Sequence, residues 1–158
     1  MEPAPPKPSD VLESFYREFF EQAFRWALAL VGDRAEAEDI AQEVTVRVGS
    51  RADTLKEPAA YLRRSVVNAC RNWHRDSARR ASRQLRVAVS LDVQVPSIGT
   101  VDVLEALAKL PFRQRAAVVL RTWLDWTDED IAEAIGCRPS TVRVLIHRGL
   151  KALRRELS

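Results

Sequence analysis

Hydrophobic positions recur every three or four residues along most of this chain, and each run in phase predicts a helix. From Asp10, the residues Leu12, Tyr16, Phe19, Phe20, Ala23, Ala27, Leu30 and Val31 keep that spacing, with Phe15, Phe24 and Trp26 widening the apolar surface beyond one stripe. A helix this rich in aromatics is core material and carries no chemistry. Gly32 ends it. Asp33, with Glu36 three residues on, is a capping-box variant that opens a second helix. Ala37, Ile40, Ala41, Val44 and Val48 make the buried stripe of that helix, Glu38, Asp39, Gln42, Glu43 and Arg47 cover its outer faces, and Gly49 stops it. Residues 50–57 read as a loop, and Pro58 suits the first turn of a third helix.

Residues 61–76, YLRRSVVNACRNWHRD, set Leu62, Val66, Ala69, Cys70 and Trp73 on one side of that third helix. Arg64, Asn68, Arg71 and Arg75 fall on the other. One face can bury while the other offers guanidinium groups that suit phosphate oxygens and an amide that suits a base edge. From Val87 to Val95 the pattern changes to alternation, the period of a strand. One strand without a partner in an otherwise helical chain is not stable, so residues 81–100 are expected to be an extended linker, with Pro96 and Gly99 in support. Helical spacing then returns at Leu104, Leu107, Ala108 and Leu110, breaks at Pro111, and resumes at Ala116, Val119, Leu120 and Trp123. Thr127 with Asp130 reads as an N-cap before Ile131, Ala134 and Ile135, and Gly136 terminates that short helix. Ser140 or Thr141 is expected to cap a last helix containing Val142, Leu145, Ile146, Leu150 and Leu153. A short helix, a glycine-containing turn and a basic helix make a helix-turn-helix.

The predicted fold is therefore all-α: a disordered tail over residues 1–9, a helical domain over 10–80, a linker over 81–100, and a helix-turn-helix domain over 101–158. Each domain is small, so its core is small too. With 158 residues, 46% hydrophobic and 30% charged, the composition is that of a globular protein. The formal net charge of +3 is unevenly placed. Residues 61–86 carry eight arginines and one acid, and residues 138–158 carry six Lys/Arg and one acid. Two basic patches point to a polyanion touched at two places. The N-terminal residues MEPAPPKPSD lack an apolar segment of the secretory type, and no run is long enough to span a bilayer, so a cytoplasmic location is expected. Cys70 and Cys137 form no CxxC pair and read as free thiols.

Four strings occur here in a fixed order: AEAEDIAQEVTVRV, EPAAYLRRSVVNACRNWHRD, ALAKLPFRQRAAVVLR and TDEDIAEAIGCRPSTVRVLIHRGLKALRREL. Together, across roughly residues 11–157, they resemble the bacterial RNA polymerase sigma factors of the extracytoplasmic-function (ECF) group. The resemblance implies that Asp39, Gln42 and Glu43 belong to a helix that docks on the polymerase clamp. It implies that Arg64, Asn68, Arg71, Asn72 and Arg75 lie on a helix that reads and melts the minus-ten element, with residues 51–57 resembling a loop that captures a flipped base. The last helix resembles the minus-thirty-five reader, with Arg138, Ser140, Thr141, Arg143 and Val144 nearest the bases and His147, Arg148 and Lys151 further along, near phosphates. Trp73 and Cys70, on the apolar side, hold the third helix in place. The implied partners are core RNA polymerase and promoter DNA, duplex and melted, with an anti-sigma factor as a restraint of the kind the group uses. Three features depart from the family pattern: Arg143-Val144-Leu145 replaces a polar run, Thr45 and Gly49 stand where large apolar residues are usual, and the linker has few acids.

Catalysis has little to work with. His74 and His147 sit on arginine-rich helices away from any nucleophile, and Asp39 with Glu43 lacks the further ligands that a metal needs, so no enzyme activity, cofactor or metal is expected. The alternative is a stand-alone helix-turn-helix regulator binding duplex DNA as a symmetric dimer. That scheme leaves the helix of Asp39, Gln42 and Glu43, and the arginine-asparagine helix, without a task.

Overall fold

The computed structural model describes residues 2–81 and 100–158. All regular structure among them is helical: α1 (Pro8–Val31), α2 (Arg34–Gly49), a 3-10 turn (Ala52–Thr54), α3 (Pro58–Ala81), α4 (Thr100–Ala108), α5 (Phe112–Thr122), α6 (Asp128–Ile135) and α7 (Pro139–Leu157). This is the all-α fold expected, with two helical domains and a helix-turn-helix formed by α6 and α7. The alternating segment and the expected linker lie outside the described residues, except that Ala81 closes α3 and Thr100 opens α4.

Most helix ends follow from local chemistry. Gly32 and Gly136 adopt left-handed backbone (φ 76° and 72°) and return their N–H groups to Leu28 and Ala132. The Asp33 side chain accepts from the Glu36 N–H, and the Thr127 hydroxyl accepts from the Asp130 N–H, each at 3.1 Å. Two ends differ from expectation, both because of proline. α1 starts at Pro8 rather than Asp10. α7 is not capped by Ser140 or Thr141; Arg138 takes the N-cap position in extended backbone (φ −85°, ψ 152°) and Pro139 opens the first turn. A proline at the first helical position gives up no hydrogen bond, and it pushes the preceding residue out of helical conformation.

α1 lies along α2 and α3, and α7 packs against α4, α5 and α6. Two glycines allow close approach. A Cβ on Gly49 would sit 2.9 Å from both Leu12 Cδ1 and Phe15 Cδ1, and one on Gly149 would sit 2.7 Å from Val118 Cγ2. Gly49 is thus part of the α1–α2 packing as well as the end of a helix. On α3 the buried face holds Leu62, Val66 and Cys70 as expected, together with Val67, while Ala69 and Trp73 are half-buried against the core. Each large aliphatic side chain fully withdrawn from water contributes about 1.5–3 kcal/mol.

The two domains touch. α4 and α5 pack on α1, and α6 packs on α3, so the buried residues form one continuous cluster. At the centre of this contact Arg115 is 8% exposed. Its Nε donates to Leu107 O (2.9 Å), its Nη2 to Ala108 O and Leu110 O (3.2 and 3.0 Å), and its Nη1 to Leu30 O (2.7 Å). Leu107 and Ala108 close α4, Leu110 lies just beyond it and Leu30 lies in the last turn of α1, where helix ends leave acceptors and the macrodipole is negative. A planar fork with five donors satisfies several at once.

Among the described residues, the Thr45 hydroxyl is the one buried side-chain polar atom without a hydrogen-bond partner. Thr45→Val is therefore expected to stabilise the protein by about 1 kcal/mol, seen as a higher urea midpoint with an unchanged slope. Arg115→Met is expected to cost about 3 kcal/mol, because several dry carbonyls lose their donor. Arg115→Lys should recover little of this in the same titration, since one ammonium cannot span the set.

Candidate nucleic-acid and polymerase interfaces

The outer stripe of α2 is built by spacing alone. Asp39, Gln42 and Glu43 are all exposed, and Val46, seven residues beyond Asp39, continues the stripe at 44% exposure. Glu43 lies 3.8 Å from Arg47, a solvent-exposed pair that contributes little to stability. Beside Val46 runs a shallow groove lined by Ser9, Leu12, Tyr16 and Phe20 of α1. Tyr16 and Phe20 stack at 4.8 Å between ring centroids, which gives the groove a rigid aromatic wall. The α2 stripe thus joins acid and amide groups to an apolar edge.

The polar face of α3 divides into an open part and an occupied part. Asn68 is exposed, and Arg75 with Asn72 forms an exposed pair in which the guanidinium donates to the amide oxygen. Arg64 faces the other domain: its Nη2 lies 3.6 Å from Asp130 Oδ1, and its guanidinium lies over the Trp126 ring at 6.0 Å. Arg71 is half-buried and donates from Nη1 to Ala134 O at 3.0 Å. The absence of a side chain at Gly136 makes room for it, since a Cβ there would come within 2.9 Å of Arg71 Nη2. His74 stacks on Phe112 at 4.3 Å and 13°. At the start of α3 the Tyr61 ring is 42% exposed, with the Arg51 guanidinium 5.6 Å from its centroid. Tyr61 and Arg51 went unnoticed as a pair in the sequence; the available signal was an aromatic in the first turn of a helix following an arginine-containing loop.

α7 buries Val142, Gly149 and Leu153 and half-buries Leu145, Ile146 and Leu150. Its outer face then carries Ser140, Arg143, Val144, His147, Arg148 and Lys151, all exposed, with Arg138 exposed at the N-cap and Thr141 half-buried. The apolar run that begins at Val144 thus turns inward after one residue. Arg143 Nε donates to Asp128 Oδ2 at 3.2 Å, and Arg121 of α5 binds the other oxygen of the same carboxylate. Asp128, Glu129 and Asp130 fill the first turn of α6, where carboxylates complement the positive end of the helix dipole. Among the described residues no group of acids, histidines and cysteines could hold a metal ion, and no helix is long and apolar enough to cross a membrane.

This order of elements has counterparts. Residues 15–80 match the family Sigma-70 region 2, and residues 100–153 match Sigma-70, region 4. The RNA polymerase sigma-E factor of Streptomyces coelicolor is 32% identical over 152 residues, which cover 92% of this chain and 85% of that protein. The ECF RNA polymerase sigma factor SigL of Mycobacterium tuberculosis is 29% identical over 91% of this chain and 87% of its own length. Among solved structures, the sigma factor RpoE of Bartonella quintana, crystallised with the anti-sigma factor NepR, shares the fold with a TM-score of 0.71. That likeness covers 92% of this chain and 95% of that one at 20% identity. The chain belongs to the RNA polymerase sigma factors, in their ECF group.

The two thiols differ in a way that can be measured. Cys70 is buried on the inner face of α3, and desolvation pushes its thiol up to about 12, so it stays protonated. Iodoacetamide at pH 8 is expected to label the half-exposed Cys137 and leave Cys70 unmodified until the protein unfolds, as read by peptide mass spectrometry. Because the folded value lies above the unfolded one, the stabilisation from a neutral Cys70 is complete below about pH 9 and declines as pH rises toward 12.

Proposed function

We propose that this sigma factor joins core RNA polymerase through the α2 stripe of Asp39, Gln42 and Glu43 and directs initiation at promoters by contacting DNA at two places. In the first, the α3 face of Arg64, Asn68, Arg71, Asn72 and Arg75 engages the melted minus-ten strand, with Asn68 reading a base edge and the arginines taking phosphates. Exposed Tyr61, flanked by Arg51, supplies a stacking platform for an unpaired base. In the second, α7 enters the major groove of the minus-thirty-five duplex by its N-terminal end. Arg138, Ser140, Thr141, Arg143 and Val144 then lie nearest the bases, and His147 and Arg148 nearest the backbone. The functional units under this reading are residues 10–80 and 101–158. The chain itself carries no chemistry, works in the cytoplasm, and is a fitting target for an anti-sigma factor competing for the same faces.

The observation that carries this reading is one ordered set of surfaces. An exposed acidic-amide stripe, an arginine-asparagine face and a basic helix-turn-helix face follow one another in the order of regions 2 and 4. A stand-alone regulator would need only the last. The test is reconstitution with a bacterial core polymerase and run-off transcription from candidate promoters; failure to join core or to start transcripts would overturn it. Asn68→Ala is expected to slow open-complex formation about tenfold while core binding is unchanged, because a lost bidentate base contact is worth about 1–3 kcal/mol. Equal loss of both would mark a folding defect instead. Arg143→Ala is expected to weaken binding to the upstream duplex by about the same factor.

A further inference from the structure

Asp128 makes contacts that its place at the start of α6 does not require. The cap bond of that helix runs from the Asp130 N–H to the Thr127 hydroxyl and leaves the Asp128 carboxylate unused. Glu129 and Asp130 also supply the negative charge that suits the positive end of the helix dipole. What sets Asp128 apart is that its two oxygens join different helices. Oδ1 accepts from Arg121 Nη2 of α5, and Oδ2 accepts from Arg143 Nε of α7 at 3.2 Å. Arg121 is itself anchored, since its Nε donates to Trp126 O at 3.1 Å in the turn before α6. The Asp128 side chain is only 21% exposed, whereas that of Arg143 is 72% exposed. The inner end of this relay is thus sheltered, and its outer end faces solvent.

We propose that Asp128 is a positioning residue for DNA reading: backed by Arg121, it fixes Arg143 so that both Nη groups address a guanine in the major groove. This rests on the assignment of α7 to the upstream duplex. An arginine free in solvent samples many rotamers, and holding it costs entropy at the moment of binding. Arg143 is held at Nε beforehand, and among the described residues no protein group takes its Nη donors. Two parallel donors match the O6 and N7 acceptors of guanine, whereas adenine sets an N6 donor against one of them. The carboxylate also offsets the charge of Arg143, which weakens an undirected pull on phosphate but leaves the hydrogen-bonding geometry intact. Arg148 and Lys151, further along the same face, are exposed and have no carboxylate partner among the described residues, as suits backbone contacts. An ion pair with so exposed a member adds little to folding, so its effect belongs to binding.

The test uses holoenzyme reconstituted on a bacterial core polymerase and a pool of duplexes randomised over the upstream region, with retained sequences counted. Wild type is expected to prefer guanine to adenine about tenfold at one upstream position, the discrimination of a single bidentate arginine contact. Arg143→Ala should remove that preference and keep those at other positions. Asp128→Ala should cut it to about threefold or less, while affinity for the unselected pool stays equal or rises, because a freed Arg143 takes phosphate instead. In the Arg143→Ala background, Asp128→Ala should change the preference no further, since Asp128 acts through Arg143. Arg121→Ala, which leaves α6 itself unaltered, should lower the same preference, so a folding loss in Asp128→Ala, read by urea titration, does not decide the matter. Folded Asp128→Ala and Arg121→Ala proteins with the wild-type preference, or with all positions weakened alike, would overturn the proposal. So would an Arg143→Ala protein that binds every sequence equally less well, the mark of a phosphate contact. A holoenzyme that enriches no sequence removes the promoter reading and this proposal together; a motif enriched independently of Asp128 removes this proposal alone.

Discussion

Arg115 is the constraint on which the arrangement turns. Removing a cation from water costs several kcal/mol. Helix ends offset part of that cost: the donors of one guanidinium meet carbonyls at or just beyond the C-termini of α4 and α1, near the negative pole of each helix. The bonds to Leu107, Ala108 and Leu110 lie within the C-terminal domain and hold Arg115 there. The bond to Leu30 O gives α1 a defined docking point. The same side chain thus finishes one domain and positions the other.

A contact of this kind can hold two domains together without fusing them. Around Arg115 the interface is completed by small or planar groups: Gly32 against Ala108, the His74 ring on Phe112, the Arg64 guanidinium over Trp126. None is a large aliphatic knob set into a deep socket, and Leu30 O can be hydrated if the contact parts. On either side of it α1 packs on α2 and α3, and α7 on α4, α5 and α6. Net charge points the same way. The chain is only +3 overall, and Asp130 and Asp128 pair with cations of α3 and α7, which lowers repulsion among these helices.

Much of the fold was legible because its signals are local. Gly32, Gly136, the Asp33–Glu36 cap and the Thr127–Asp130 cap each act within one turn, and all four appear as expected. Three-four spacing gave the buried sides of α2 and α3 because side-chain direction in a helix depends on position alone. What stayed hidden needed a partner distant in sequence. Arg115 occupies a buried register position between Phe112 and Ala116, and only the meeting of two helix ends explains a cation there. Arg71 reads as one more outward arginine until α6 arrives with Ala134 O and a glycine beside it. The start of α7 was misplaced for a different reason: Ser140 and Thr141 have the right chemistry for a cap, but Pro139 had already set the first turn. The candidate site was legible as residue types on faces, and its pairings were not.

Those pairings change what the α7 face can do. Arg143 and Val144 stand side by side on it, and the arginine is held by Asp128, itself gripped by Arg121 of α5. A long side chain fixed at its Nε loses rotamer freedom before DNA arrives, which lowers the entropy cost of using its remaining donors on a base or phosphate. Val144 has no donor to offer; on the proposed assignment it meets DNA by shape, and in the major groove its natural counterpart is a thymine methyl. Leu145 and Ile146 turn into the core and take no part. The departure from a polar run at this point is therefore a local one: a single apolar contact set beside an arginine whose direction is chosen by α6, within a face that otherwise keeps its polar and basic character.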